Sequence, residues 1–434
     1  MAVMHLGVVR VLGVGVDWAE AFHDVAVGVP GMGVTDQFRI EHGPAGVARM
    51  VARCLELEPD PAEVRVVLET RHGLLVEALV DAGFTVLPVN PDLVARRRGP
   101  AKKKDDAEDA RICCLLALDQ YAELRRLIPH GETGTELRAI ARDDERAARD
   151  ERRISNRLRA DLLAVFPAAI DIAAGDLGSA VFLRLLERWP SAQDLAPASR
   201  QDIEDFARSA RHGWPARFAD HVIAVLAEPR LAVRPELARA KAGSIRLAAA
   251  QLLLLHGQRK AWEKRMGELL LGAVRYGRDK TPKDPDPGKA FPGGEIYLSM
   301  PGLGDRLAAR VAGEIGEQFE QFTTPNALQC YAGRAPVTRR SGRSEFTIAR
   351  RLAYNRHLGE AAQQWAFCSL KRSAWAREFY DAKITAGDRH HAALRKLANR
   401  WLEVLWHCLN KGVLYDETIH ATNRLRSRAL KPAA

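Results

Sequence analysis

Cysteine is scarce and unpatterned. Cys54, Cys113, Cys114, Cys330, Cys368 and Cys408 are the only six in 434 residues, with no C-x-x-C pair and no histidines at companion spacing. This argues against a structural zinc site and for reduced thiols in a cytoplasm. Long apolar runs are missing too: none approaches the roughly eighteen uncharged residues that a membrane span needs. The opening stretch, Met1 to Arg10, has no basic residue ahead of its apolar segment and so does not read as a signal peptide. No internal repeat is evident. What remains is an ordinary globular composition, 47% hydrophobic and 28% charged, long enough for two or three domains. The net charge of +10 points toward a polyanionic partner.

The first hundred residues alternate strand-like and helix-like patterns. Val11–Val16, Asp24–Val29 and Gln37–Ile40 read as strands, followed by a helix over Pro44–Leu57. A strand at Val64–Leu68, a helix at Leu74–Ala82 and a strand at Phe84–Val89 complete a β-β-β-α-β-α-β order. That order fits a ribonuclease-H-like fold. From Ile112 to Phe166 the pattern is helical except around Pro129–Gly134, with a thin apolar seam through Leu137, Ile140, Ile154, Leu158 and Leu162. A second long helix, from about Ser244 to Leu271, shows three-four spacing, which is coiled-coil patterning that could pair the two with each other or across subunits. Residues 167–240 read as a helical insertion, and the Pro- and Gly-rich stretch from Thr281 as a linker.

Four acids stand out. Asp17 ends the first apolar strand and Glu69 the fourth, where an ionised group near a core is costly unless paired or metal-bound. Asp106 and Asp109 share a face at the start of the next helix, but Asp105 with Glu108 has the same spacing, and acids also suit a helix N-terminus for electrostatic reasons alone. Six basic residues precede them, Arg96, Arg97, Arg98, Lys102, Lys103 and Lys104, either a solvated face or a phosphate-holding surface. Further on, Met300-Pro-Gly-Leu-Gly304 resembles the phosphate-binding turn of a helix-hairpin-helix and equally reads as a simple Gly turn with Asp305 near a cap position. Ser341 lies among Arg339, Arg340 and Arg343 in a segment that reads as a basic loop, with guanidiniums placed to neutralise charge on a phosphodiester. His357 is the nearest histidine in sequence and reads more readily as a packing residue than as a base. The residues leave three functions open: a DNA-joining enzyme with a serine nucleophile, a metal-dependent nuclease or junction resolvase using water, and a non-catalytic nucleic-acid-binding protein.

The segments in order are Asp17, Glu69, Lys104-x-Asp106-x-x-Asp109-Ala110, a long helical region, Pro301-Gly-Leu-Gly304, Gln329-Cys-Tyr-Ala-Gly333-x-x-Pro336 and Arg340-Ser341-Gly342. This succession resembles the bridge-RNA-guided DEDD transposases of the insertion sequence one-ten family, over roughly residues 10–165 and 244–410. The resemblance implies an α/β plus α architecture. Residues 1–115 would be a RuvC-like domain of RNase H fold, 116–280 a coiled-coil region with the insertion at 167–240, and 281–295 a linker. Residues 296–415 would be a helical transposase domain and 416–434 a basic tail. It implies Asp17, Glu69, Asp106 and Asp109 as ligands of Mg2+ (or Mn2+), and Ser341 as a nucleophile that becomes joined to DNA. It also implies a structured guide RNA, double-stranded donor and target DNA, a homodimer assembling to a tetramer, and a place in the bacterial cytoplasm near the nucleoid. Trp18, directly after the first acid, departs from the small or polar residue common there, and the insertion is longer than usual.

Overall fold

The order of strands and helices in the first unit, Met1–Pro129, is the one the apolar periodicity predicts. The computed structural model describes residues 11–98, 105–272, 274–275, 282–283, 290–341, 344–348, 354–419 and 422. Strands β1 (Leu12–Trp18), β2 (Phe22–Val29) and β3 (Gly33–Glu41) form an antiparallel meander. After α1 (Pro44–Leu57), β4 (Val64–Leu68) pairs parallel to β1; α2 (Leu74–Asp81) then leads to β5 (Thr85–Pro88), parallel to β4. The sheet order is β3-β2-β1-β4-β5, which agrees with the ribonuclease-H-like expectation.

Strand alternation divides the two faces. Leu12, Val14, Val16, Val25, Val27, Val64, Val66 and Leu68 pack with Met50 and Cys54 of α1 and Leu75, Val76 and Leu79 of α2. Each such buried aliphatic contributes about 1.5–3 kcal/mol. The opposite face carries Gly13 and Gly15, and α4 (Asp106–Asp119) lies directly on them. A Cβ on Gly15 would fall on the carbonyl of Ala110 and the amide of Cys114, and one on Gly13 would lie 2.6 Å from the Leu118 side chain. The Cys114 thiol donates to the Gly13 carbonyl at 3.3 Å. Helix backbone therefore touches strand backbone. Between β5 and α4, Asn90 accepts from the Asp92 amide and Pro91 opens a short helix, α3 (Pro91–Arg98), so part of the basic run is helical. α4 continues past residue 115, and the unit ends at Pro129.

The second unit, His130–Ala434, is mainly helical. Its two longest helices, α5 (Glu132–Val165) and α11 (Pro235–Leu271), run antiparallel, as their cross-links show: Asp161 with Lys241, Glu151 and Asp144 with Arg259, Glu136 with Arg265. The expected apolar seam is interrupted, because no residue is fully buried between Ala147 and Leu158 on one helix or Gly267's neighbour Met266 and Leu252 on the other. The charge density of α5 puts ion pairs there instead. α11 also begins earlier than expected, since Pro235 fits a first helical position. Between the two, α6 (Ala168–Ile172), α7 (Ala180–Arg188), α8 (Ala192–Leu195), α9 (Arg200–Ser209) and α10 (Pro215–Ala227) cover one end of the pair with Phe166, Phe182, Leu186, Ile203 and Val222.

The backbone pairs β6 (Val274–Arg275) with β7 (Pro282–Lys283) beyond α11. The other end of the long pair packs on α12 (Gly294–Ser299), α13 (Asp305–Ile315) and α14 (Pro325–Tyr331). Strands β8 (Val337–Ser341) and β9 (Ser344–Ile348) form a hairpin where the sequence predicts a loop, and α15 (Arg356–Ser369), α16 (Ala374–Thr385) and α17 (His390–Lys411) follow. At the centre Trp365 stacks on Trp401 and Trp375 tilts against it, with ring centroids 5.2 and 4.5 Å from Trp401. The turn at Pro301–Gly304 sits against this core: Gly302 has φ +88 and its Cα side faces the Ser369 amide, while the Trp365 indole donates to the Pro301 carbonyl at 3.0 Å. Among the described residues, no helix is long and apolar enough to cross a membrane.

A buried acid closes the base of the hairpin. Glu314 of α13, 4% exposed, accepts from Arg142 of α5 at 2.6 Å and from the Asn355 amide group at 2.8 Å. Asn355 in turn donates through its backbone N–H to the Tyr331 carbonyl (2.8 Å) and through its side chain to the Tyr331 hydroxyl (2.9 Å). Residues 331 and 355 flank the hairpin, so one carboxylate ties both of its ends to α5. Burial pushes the Glu314 carboxyl up, but Arg142, Arg138 and Asn355 outweigh it and hold the group below the usual carboxylate range.

Two outcomes follow for stability. Gly15→Ala drives a methyl into the α4 backbone and should lower stability by about 3 kcal/mol or more in urea unfolding; an unchanged midpoint would refute the contact. Glu314→Ala takes the acceptor from the half-buried Arg142 and the buried Asn355 and should cost about 3 kcal/mol. Because the folded pKa of Glu314 is depressed, its contribution is complete above the ordinary value of 4.5 and fades as pH falls through the folded value. Thermal scans from neutral to acidic pH should show that slope in the native protein and a flatter one in Glu314→Gln.

Candidate active site

The parallel ladder pairs Val16 of β1 with Leu68 of β4, so Asp17 and Glu69 are the next residues along neighbouring strands and leave the sheet side by side. Asp17 has the parity of Gly13 and Gly15 and so belongs to the face that α4 covers. On α4, Asp105 is the N-cap and its carboxylate accepts from the Ala107 amide at 3.1 Å. Glu108 is turned along its own helix to Arg111, at 2.7 and 2.9 Å. These contacts separate the two acid pairs that spacing alone leaves equivalent. Asp109 points inward and is 2% exposed.

Asp109 is held by Arg98, the last residue of α3. The guanidinium Nε donates to Oδ1 at 2.8 Å, and Nη2 reaches both carboxylate oxygens. This hydrogen bond outweighs the cost of burying the guanidinium, and Glu69 and Asp17 add to it, so the Arg98 pKa lies above its ordinary value. Three acids from β1, β4 and α4 thus act on a single cation. The same three raise the pKa of Cys113, one turn further along α4, where burial is the larger cause. That thiol stays protonated and is no candidate nucleophile.

Asp106 stands apart from this group. It is exposed and lies with Asp105 near Arg39 of β3, whose guanidinium is bound to Asp24 of β2 at 3.0 and 2.7 Å and is raised in pKa chiefly by that bond. Asp24 pairs directly with Asp17 across the β1–β2 ladder. Neither Asp24 nor Arg39 stands out in the sequence, because their place depends on strand register; Asp24 two residues into a strand was the only available signal. Among the described residues, no three His, Cys, Asp or Glu groups stand as they are in a set that would hold a metal ion. The donor chemistry nevertheless suits Mg2+ or Mn2+: Asp17, Glu69 and Asp109 offer hard carboxylate oxygens, and Arg98 is a cation already drawn to them.

Of the basic residues, Arg96 and Arg97 are exposed on α3, whereas Arg98 faces the acids. Lys102, Lys103, Lys104 and Arg343 lie outside the described residues, as does the tail segment Arg424–Arg428. Arg339 and Arg340 are on β8, and Ser341 is its last residue, paired with Ser344 at the turn end of the hairpin. His357 is engaged through Nδ1 with the buried Glu145 at 2.7 Å.

Comparison with known proteins accounts for both segments. The DEDD transposase family of the IS110 type matches residues 14–167, and the Transposase IS116/IS110/IS902 family matches residues 294–381. A Streptomyces coelicolor protein named as a mini-circle transposase for IS117 is 32% identical over 409 residues, covering 93% of this chain and 95% of the relative. An IS110 protein of 43.6 kDa from the same organism is 28% identical over 348 residues, 79% of this chain and 80% of its own. An IS900 protein of 42 kDa from Mycobacterium paratuberculosis is 28% identical over 386 residues, 87% and 90% of the two chains. With the strand-end acids on the first matched segment and the serine hairpin on the second, the chain belongs to the IS110 family of transposases.

Proposed function

We propose that this transposase is an RNA-guided DNA recombinase that cuts and rejoins double-stranded DNA through Ser341. The observation that carries the reading is the placement of Asp17 and Glu69 at the ends of neighbouring parallel strands, with Asp109 of the covering helix held by Arg98. Such a cluster of carboxylates is costly unless cations are meant to be there. A divalent ion bound by these acids would polarise a scissile phosphate and stabilise the charge that develops on it.

The protein's own groups supply the rest. The Ser341 oxygen attacks phosphorus and its proton leaves to solvent. A phosphorus–serine bond forms, the bond to the 3′ oxygen breaks, and that oxygen takes up a proton. The 5′ phosphate stays on the protein, which conserves the bond energy for joining to a new 3′ hydroxyl. Arg339, Arg340 and Arg343, neighbours of Ser341 in sequence, would offset the phosphate charge. Arg96 and Arg97, with Lys102, Lys103 and Lys104, would position the nucleic-acid backbone. Asp106, exposed on the first turn of α4, would complete the acid set. The guide RNA, the dimer-to-tetramer assembly and the meeting of acids and serine from one copy or two come from the family resemblance.

The test is a denaturing gel of labelled duplex DNA incubated with protein, guide RNA and Mg2+. The native protein should leave label attached to protein, and Ser341→Ala should remove that adduct and slow joining by at least about a thousandfold. Asp109→Asn should abolish cleavage with DNA binding retained. Cleavage by Ser341→Ala at the native rate, with no adduct in either protein, would favour attack by water instead.

A further inference from the structure

The basic run before α4 reads in sequence as a phosphate-binding surface, yet its members part company in the structure. Arg96 and Arg97 are exposed, while Arg98 is turned into the acid cluster and only 15% of its side chain is accessible. Its planar fork occupies both oxygens of Asp109, the most buried of the four acids, and its charge is shared with Glu69 and Asp17. An ion bound by the same three carboxylates would have to take oxygens that the guanidinium now holds, beside a fixed positive charge. Two cations in that place repel each other.

We propose that Arg98 is a resident counter-cation of the acid centre, which a divalent ion displaces and which a nucleic-acid phosphate then receives. This rests on the reading of the acids as metal ligands given above. Arg98 ends α3, so a small change in its last turn or its side-chain rotamer moves the guanidinium from Asp109 toward Arg96 and Arg97. There it would add a third guanidinium to a phosphate-facing group. Ion binding and phosphate binding are then linked, and by reciprocity each strengthens the other. The consequence is that the protein resists loading with metal until nucleic acid is at hand, which limits stray cleavage. The arrangement also explains why a carboxylate as buried as Asp109 is tolerated at all: Arg98 neutralises it until an ion does.

The test measures Mn2+ binding by electron paramagnetic resonance on the full-length protein, with and without a short duplex DNA of arbitrary sequence. Arg98→Gln should bind Mn2+ about tenfold more tightly than the native protein in the absence of DNA. Added duplex should tighten binding in the native protein more than in the variant. Arg98→Lys keeps the charge but cannot span both oxygens, so it should fall between the two, and it decides the matter if the neutral variant does not fold. Equal or weaker Mn2+ binding by folded Arg98→Gln overturns the counter-cation role and leaves the metal reading standing. No Mn2+ bound by native protein or variant, with or without DNA, overturns the metal reading itself.

Discussion

A helix lying directly on a strand, backbone against backbone, is the constraint from which the acid centre follows. Gly13 and Gly15 leave β1 without side chains where α4 crosses it, and the two elements close to a distance that any Cβ would prevent. α4 therefore brings its first turn to the sheet edge where β1 and β4 end. Asp109 arrives there beside Asp17 and Glu69, groups separated in sequence by about fifty residues from the end of β1 to the end of β4 and about forty more to the helix. The same closeness buries Asp109, and a buried carboxylate requires a cation. In this structure Arg98 meets that requirement.

The second unit is organised by charge to an unusual degree for a helical body. The long helices α5 and α11 are cross-linked by arginines and carboxylates where an apolar seam was expected, and Glu314 continues that network to the base of the serine hairpin. Paired buried charges add little net stability over an apolar core, but they are unforgiving of displacement. A hairpin tied down in this way has a defined origin, and its turn, with Ser341, stands at the far end of two short strands.

The sheet was readable because β1, β2 and β4 are short Val-rich runs, and because α1 and α2 follow a clear helical period. The acids at the ends of β1 and β4 were readable for the same reason. Three features were not. The interruption of the α5–α11 seam depends on which charges face each other, and a periodicity count cannot see that. The β8–β9 hairpin carries Arg339 and Arg340 next to Ser341 and a Gly, and so looks like a loop. The separation of Asp109 from Asp106 depends on helix rotation over β1, which two glycines set without any apolar signal. Asp24 and Arg39 join the site only through strand register, and the inward turn of Arg98 depends on where α3 ends.

The most direct measurement is anomalous diffraction from crystals grown or soaked with Mn2+. A peak bounded by the carboxylates of Asp17, Glu69 and Asp109 is expected, about 2.1 Å from their oxygens, with the Arg98 guanidinium moved off Asp109. A Mn2+ peak away from these three side chains, in crystals where Arg98 still holds Asp109, would contradict it.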